Sequence, residues 1–330
     1  MIFLEPLDAR IPQWNLNHLL TRLCPFCRVE NELVLMRSDR LPVAFCKTCG
    51  CWYVAELPSI KDIQKQYDGY WHIHNPTDLS EKMVPQMLEN ARKASQTDWQ
   101  FNTLSKLLGG ISGKRILDVG CGCGQFILTA RSAGADVVGC DISPEACNFV
   151  KTRLGITVHN SNLQKCLSSI GNVDAVVMRD LIEHPVEPLM DIQAAYNILK
   201  QGGLLLLLTP NGGEAGSQVE TGKKWVGFSV DLEHLQYLSS QTINWLSKTF
   251  GWRIERLECF GFPCLEGIDQ FPNKMRRNTN YAMLKEIAKL LPGARQTNHV
   301  LQAIKAGLTR GHQDLRLGSY HLFAILRKVV

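Results

Sequence analysis

Two sets of residues in this chain have the types and spacing that chemistry requires. Cys24-Pro-Phe-Cys27 and Cys46-Lys-Thr-Cys49 form two C-x2-C pairs with 18 residues between them. Each pair makes a tight turn that aims two thiolates at one point, and the spacing is that of a closed, four-ligand structural zinc site. Gly50, directly after the second pair, suits such a knuckle. Thiol redox chemistry and disulfides are the competing readings, and Cys51 is a spare thiol. The second set is Ile116-Leu117-Asp118-Val119-Gly120-Cys121-Gly122-Cys123-Gly124-Gln125, where a strand should end and a helix begin. Glycines there let the backbone approach a ligand that any Cβ would block, and a helix N-terminus supplies free N–H donors. Asp141, 21 residues beyond Gly120, stands where an acidic side chain meets ribose hydroxyls in nucleotide-binding sheets. A dinucleotide fingerprint would want glycine at position 125, which is Gln125. The G-x-G-x-G spacing after Asp118 favours S-adenosylmethionine over a nicotinamide dinucleotide.

The elements that must position these residues follow from the apolar pattern. The chain has 330 residues, 45% hydrophobic and 20% charged, which fits a folded globular protein of about two domains and excludes a disordered or collagen-like chain. The aliphatic run Leu204 to Leu208 is far short of the ~20 apolar residues that span a bilayer. Glu5 and Asp8 precede any base in the first ten residues, the wrong order for a secretory signal, so a cytoplasmic location is expected. In that reducing compartment the twelve cysteines are expected as thiols. Residues 1–58 read as a zinc-ribbon-like domain of short strands and turns. Residues 59–98 read as a helical connector with a loop inside it. From 99 to 330, seven apolar runs alternate with helical patterns, which predicts an α/β, Rossmann-like, doubly wound sheet. A helical insertion at about 263–316 interrupts this alternation before the last strand. From Gln270 to Val330, eleven bases face two acids, a balance of +9 within a net charge of +5. Such a basic part attracts an anionic partner if its charges cluster in space, and is otherwise a solvated helical face.

The residues DAVVMRDLIEHPVEPL, ILKQGGLLLLLTPN and HLQYLSSQTINWLSKTFGW, in that order after the glycine loop, resemble class I S-adenosylmethionine-dependent methyltransferases. The narrower likeness is to the branch of ubiquinone-type and sugar O-methyltransferases, over about two-thirds of the chain. The resemblance implies a seven-stranded 3-2-1-4-5-7-6 sheet with its last strand antiparallel. It also implies that Gly120, Cys121 and Gly122 line the methionine end of the cofactor and that Asp118 supports its amino group. Asp141 holds the ribose, Ile142 flanks the adenine, and Asn162 and Leu163 approach the adenine edge, where the family often has an acid. Arg179, with Asp180, ends the fourth strand beside the methyl donor. A cysteine ribbon ahead of a Tyr-rich connector also resembles sugar methyltransferases, which implies that residues 59–98 act as a lid in which Tyr67, Tyr70 and Trp71 cover the cofactor or acceptor; ordinary packing of the connector is the competing reading.

Methyl transfer from a sulfonium is an in-line displacement, so an enzyme orients the acceptor and removes its proton. His184, after the fourth strand, is the first candidate base because imidazole titrates near neutrality; His234 and Tyr237 are the second. His184 reads equally as an imidazole bonding nearby backbone at a strand-to-helix turn, and for His234 and Tyr237, which precede a helix capped by Ser239 or Ser240, the structural reading comes first. The turns that mark amino-group and cytosine C5 methylation are absent after the fourth strand. An oxygen acceptor is therefore expected, with carbon methylation still open; the resemblance to sugar and natural-product methyltransferases implies a hydroxyl of a sugar, glycan or natural product, carried on a nucleotide- or lipid-linked phosphate if the excess positive charge serves it. Two alternatives stay open: an RNA methyltransferase that uses the ribbon and basic insertion to hold nucleic acid, and a scaffold that binds S-adenosylmethionine without turnover. Peripheral contact of the basic helices with an anionic membrane is a further expectation.

Overall fold

The computed structural model describes residues 2–4, 11–67, 83–213, 225–229, 231–260 and 320–329. The predicted insertion at 263–316, and Tyr70 and Trp71, lie outside them.

Six short strands come first: β1 (Ile2–Phe3), β2 (Leu20–Thr21), β3 (Leu33–Met36), β4 (Pro42–Phe45), β5 (Trp52–Val54) and β6 (Glu56–Leu57). Strands β3, β4 and β5 form an antiparallel meander, β1 pairs with β3, and β2 pairs with β6. Helices α1 (Ile60–Tyr67), α2 (Val84–Thr97) and α3 (Trp99–Leu107) follow. The junction of α2 and α3 is set by Asp98, whose carboxylate accepts from the N–H groups of Gln100 and Phe101.

The second half alternates β7 (Arg115–Val119), α4 (Gln125–Ser132), β8 (Asp136–Asp141), α5 (Pro144–Leu154), β9 (Thr157–Asn160), α6 (Leu163–Ile170), β10 (Val173–Arg179), α7 (Pro188–Ile198) and β11 (Leu199–Pro210). It closes with β12 (Gln236–Tyr237), α8 (Ser240–Phe250), β13 (Trp252–Phe260) and β14 (His321–Lys328). Seven of these strands make one sheet in the order β9-β8-β7-β10-β11-β14-β13, with β14 antiparallel to both neighbours. Counted within that sheet, this is the expected 3-2-1-4-5-7-6 order. The uninterrupted leucines of β11 are buried because helices cover both faces of the sheet. Local signals end the helices where the chain must turn. Ser143 caps α5 ahead of Pro144, Gly155 closes it in the left-handed region, and Ser239 with Thr242 forms a capping box for α8. No helix among the described residues is long and apolar enough to cross a membrane.

One connection decides how the site is built. Strand β12 leaves the second half of the chain and pairs with β5, Gln236 against Tyr53 and Tyr237 against Trp52, and so completes the small sheet as β1-β3-β4-β5-β12. The apolar cores follow this pairing. Trp52, Val43 and Leu35 pack with Trp225, Phe228 and Tyr237, while the cysteine turns share a core with Ile182, Leu238 and Ile243.

Candidate functional site

Beyond β7 the backbone enters the left-handed region three times, at Gly120 (φ 69°), Gly122 (φ 49°) and Gly124 (φ 81°). Side chains are strained in that region, and a Cβ on Gly122 would meet nothing within 4 Å, so the turn opens onto free space. Gly120 N–H donates to the Cys140 carbonyl at 2.8 Å, and Gly122 N–H donates to Asp141 Oδ2 at 2.8 Å. The other carboxylate oxygen of Asp141 accepts from Ser143 N–H at 2.9 Å. Asp141 thus ties the glycine turn to the end of β8, and each of its oxygens keeps acceptor capacity. Helix α4 starts at Gly124 without a side-chain cap, and two of its first N–H groups point back into the protein, Gln125 N–H to the Cys123 sulfur and Ile127 N–H to the Asp118 carboxylate. Ile142 lies beside this turn with 58% of its surface exposed.

Beneath the turn, Asp118 is buried, and that burial pushes its carboxyl up to about 7; Arg179 acts against the rise and Asp141 with it. The Arg179 guanidinium lies 5.6 Å from the centre of the Phe126 ring, and its Nε is buried without a hydrogen-bond partner. Asn162 caps α6 by accepting from Lys165 N–H at 3.2 Å, and Leu163 is wholly buried. Sequence reasoning passed over Asn160, whose amide donates to the carbonyls of Asp141 (3.1 Å) and Ile142 (3.0 Å) and fixes the strand ends. The only available signal was its place at the end of a short apolar run.

Two loops face each other on the far side of the sheet end. The first follows β10, and the second, residues 231–235, leads into β12. Asp180 and Asp231 both adopt φ 49°, outside the range most side chains prefer. Glu183 is fully buried; Thr209 donates to its Oε2 at 2.9 Å, and its carbonyl accepts from Leu235 N–H at 2.8 Å. Burial, with help from Asp180, raises this carboxyl to about 8. Gln236 donates its amide to the carbonyls of Ile182 (2.7 Å) and Pro185 (2.9 Å), cross-tying the loops. The structure brings His184 and His234 together, edge to face with ring centres 4.7 Å apart, and sets Tyr67 of α1 6.1 Å from His184. Glu183, His184 and His234 each place one polar atom within 4.8 Å of the others. His234 is buried with an unpartnered Nδ1. Burial, then His184 and Arg37, hold it well below the usual imidazole range, so it is neutral. Tyr237 is also buried, but its hydroxyl accepts from Arg37 at 3.0 Å, and burial pushes it up to about 12.

The four cysteines converge. Cys24 and Cys49 sulfurs stand 3.4 Å apart, Cys27 and Cys46 sulfurs 3.2 Å, and all four lie within 4.8 Å of one another. A disulfide needs about 2.05 Å, whereas four sulfurs at about 2.3 Å from one tetrahedral zinc ion would stand about 3.8 Å apart. The donor set fits that ion. Both turns are built alike: the residue after the second cysteine turns left-handed and donates to the carbonyl of the first, Arg28 (φ 60°) to Cys24 and Gly50 (φ 73°) to Cys46. Gly50 has a second reason to be glycine, since a Cβ there would stand 2.6 Å from Gln241 of α8.

The family described as "Methyltransferase domain" matches residues 92–257, half of the chain. The chain belongs to that family. Its sheet order and its glycine turn are those that the resemblance to class I S-adenosylmethionine-dependent methyltransferases implies. The ubiquinone biosynthesis O-methyltransferase of Haemophilus ducreyi is 32% identical over 122 residues, covering 34% of this chain and 52% of the relative. That of Escherichia coli O9:H4 is 27% identical over 206 residues, 60% of this chain and 78% of the relative. The chain spans about half the length of the first of these relatives. A solved S-adenosylmethionine-dependent methyltransferase from Archaeoglobus fulgidus aligns at a TM-score of 0.46 and 19% identity, over 78% of this chain and 99% of that one.

Proposed function

We propose that this chain transfers a methyl group from S-adenosylmethionine to a hydroxyl oxygen of a small-molecule acceptor. The observation that carries the reading is Asp141, which anchors the open glycine turn through Gly122 and keeps acceptor capacity for two ribose hydroxyls. The bound donor supplies an electrophilic methyl on its sulfonium. Gly120, Cys121 and Gly122 would hold its methionine end, with Asp118 and Arg179 beneath. Ile142 would cover the adenine, and the Asn162 amide would reach its edge; Leu163, wholly buried, would only pack behind.

His184 and His234 form the acceptor wall, and the one that faces the acceptor takes its proton. Tyr237 is part of that wall rather than a base, because its hydroxyl is committed to Arg37. A neutral imidazole held below its usual range is a weak base. It suits a phenolic hydroxyl better than a sugar alcohol, whose proton is far less acidic. The relatives named as ubiquinone biosynthesis O-methyltransferases support the same preference over the glycan expected from sequence. The four cysteines would hold a structural zinc ion, with no open position for chemistry. Residues 1–58 would then be the metal-bearing part, 59–98 the connector, and 99–330 the donor-binding part, joined through β12.

The test is methyl transfer from labelled S-adenosylmethionine to a panel of catechols, other phenols and sugars, comparing the native chain with His184→Ala and His234→Ala. The reading expects a methylated phenol and a loss of at least a hundredfold in one of the two variants. Failure of S-adenosylhomocysteine to bind the native chain would overturn it.

A further inference from the structure

The cysteine-bearing sheet does more than sit beside the acceptor wall. Arg37 follows β3 and is 1% exposed. A guanidinium has five N–H donors in a fixed planar fork, and here every one is engaged. Nε donates to Asp39 Oδ1 at 3.0 Å and Nη2 to Asp39 Oδ2. Nη2 also donates to the Leu232 carbonyl, while Nη1 donates to the His234 carbonyl and, at 3.0 Å, to the Tyr237 hydroxyl. Asp39 is held in turn by Trp14 Nε1 at 2.8 Å, so the fork cannot swing. A second arginine of the same part, Arg22, donates to the carbonyls of Val186 and Leu235 at 3.2 Å and to Gln236 Oε1 at 2.8 Å. Two arginines of the amino-terminal part, Arg22 after β2 and Arg37 after β3, therefore grip both loops that carry the facing histidines, and Arg37 holds the backbone of His234 itself.

We propose that Arg37 is the positioning residue of the acceptor wall: its saturated guanidinium fixes residues 232–237 so that the His234 ring is held against His184. The proposal rests on the methyltransferase reading for the word acceptor but not for the geometry. Lysine at position 37 keeps the charge that pairs with Asp39, yet it offers three donors around one point and cannot span Leu232, His234 and Tyr237 together. Asp39→Asn keeps the fork but removes the carboxylate that orients it.

The experiment uses the full chain with labelled histidine rings in a deuterated background, probed with S-adenosylhomocysteine. In the native protein a cross-relaxation signal between the His184 and His234 rings is expected. In Arg37→Lys and Asp39→Asn that signal should be lost, while the S-adenosylhomocysteine dissociation constant stays within twofold. With any acceptor found by the methyl-transfer panel, kcat should fall at least tenfold at unchanged donor KM. A signal that survives in a folded Arg37→Lys protein overturns the proposal. So does loss of donor binding together with the fold in both variants, since Arg37 would then support the whole chain rather than this wall. Absence of S-adenosylhomocysteine binding in the native chain, with the ring contact present, would instead overturn the methyltransferase reading and leave the positioning role standing.

Discussion

Replacing Asp141 by alanine removes one carboxylate that serves two neighbours. In the free protein it accepts from Gly122 N–H at 2.8 Å and Ser143 N–H at 2.9 Å. Hydrogen bonds to a charged group contribute about 1.5–3 kcal/mol each, and Asp141 stands at a partly open strand end where water replaces part of that. The free protein should therefore lose about 1–3 kcal/mol of stability. In the donor complex the same carboxylate would also accept from two ribose hydroxyls, a further loss of about 2–4 kcal/mol in binding, or roughly 30- to 1000-fold in affinity. Isothermal titration with S-adenosylhomocysteine measures the second loss, and thermal melting without ligand measures the first. Reading both from the same preparation separates a loosened turn from a missing ribose contact. A dissociation constant unchanged within threefold, in a protein that melts lower, would show that Asp141 only braces the turn and that the nucleoside has been misplaced.

The remaining expectations are shorter. Gly122→Ala puts a Cβ into open space at φ 49°, so the strain should cost about 1 kcal/mol of stability while S-adenosylhomocysteine affinity falls more than tenfold; equal affinity would show that the turn does not cradle a ligand. Freshly purified, reduced protein should carry one equivalent of zinc and Cys27→Ser far less, by metal analysis; a near-zero content in the native chain refutes the closed site. Glu183, raised from its ordinary 4.5 to about 8 chiefly by burial, keeps a proton in the folded chain that the unfolded chain has released across that window. Its stabilising contribution is therefore complete below pH 4.5 and declines as pH rises through 8. Glu183→Gln should melt close to the native protein at pH 5 and above it at pH 9, and an unchanged difference between those two pH values would count against a neutral buried Glu183.

The large sheet was legible because its strands are buried on both faces and so read as unbroken apolar runs, with glycine and capping residues marking their ends. The glycine turn was legible because only glycine takes three left-handed positions in five residues at little cost, and the cysteines because two pairs, each with two residues between its members, are rare by accident. Arg37 was not. In Arg37-Ser-Asp-Arg40 it stands among polar residues that read as a solvated turn, and only the return of β12 some two hundred positions later covers it. Strand β12 itself is two residues long, too short to show a period. Glu183 reads from sequence as an ordinary loop acid; its pKa is raised chiefly by a burial that only the folded chain creates. Arg28 shows a smaller limit: one knuckle uses glycine at its left-handed position and the other does not, so composition revealed one of the two.

The pairing of β5 with β12 also sets a timetable for synthesis. Tyr53 must wait for Gln236, about 180 residues of further translation, which at ordinary rates of 5–20 residues per second is roughly 10–40 s. Until then the open edge of β5, with Trp52 and Tyr53 on it, has no strand to pair with. A nascent chain stalled anywhere in that interval exposes an aromatic ribbon edge to the ribosome surface and to chaperones. The edge of the cysteine-bearing sheet is thus made well before the strand that closes it.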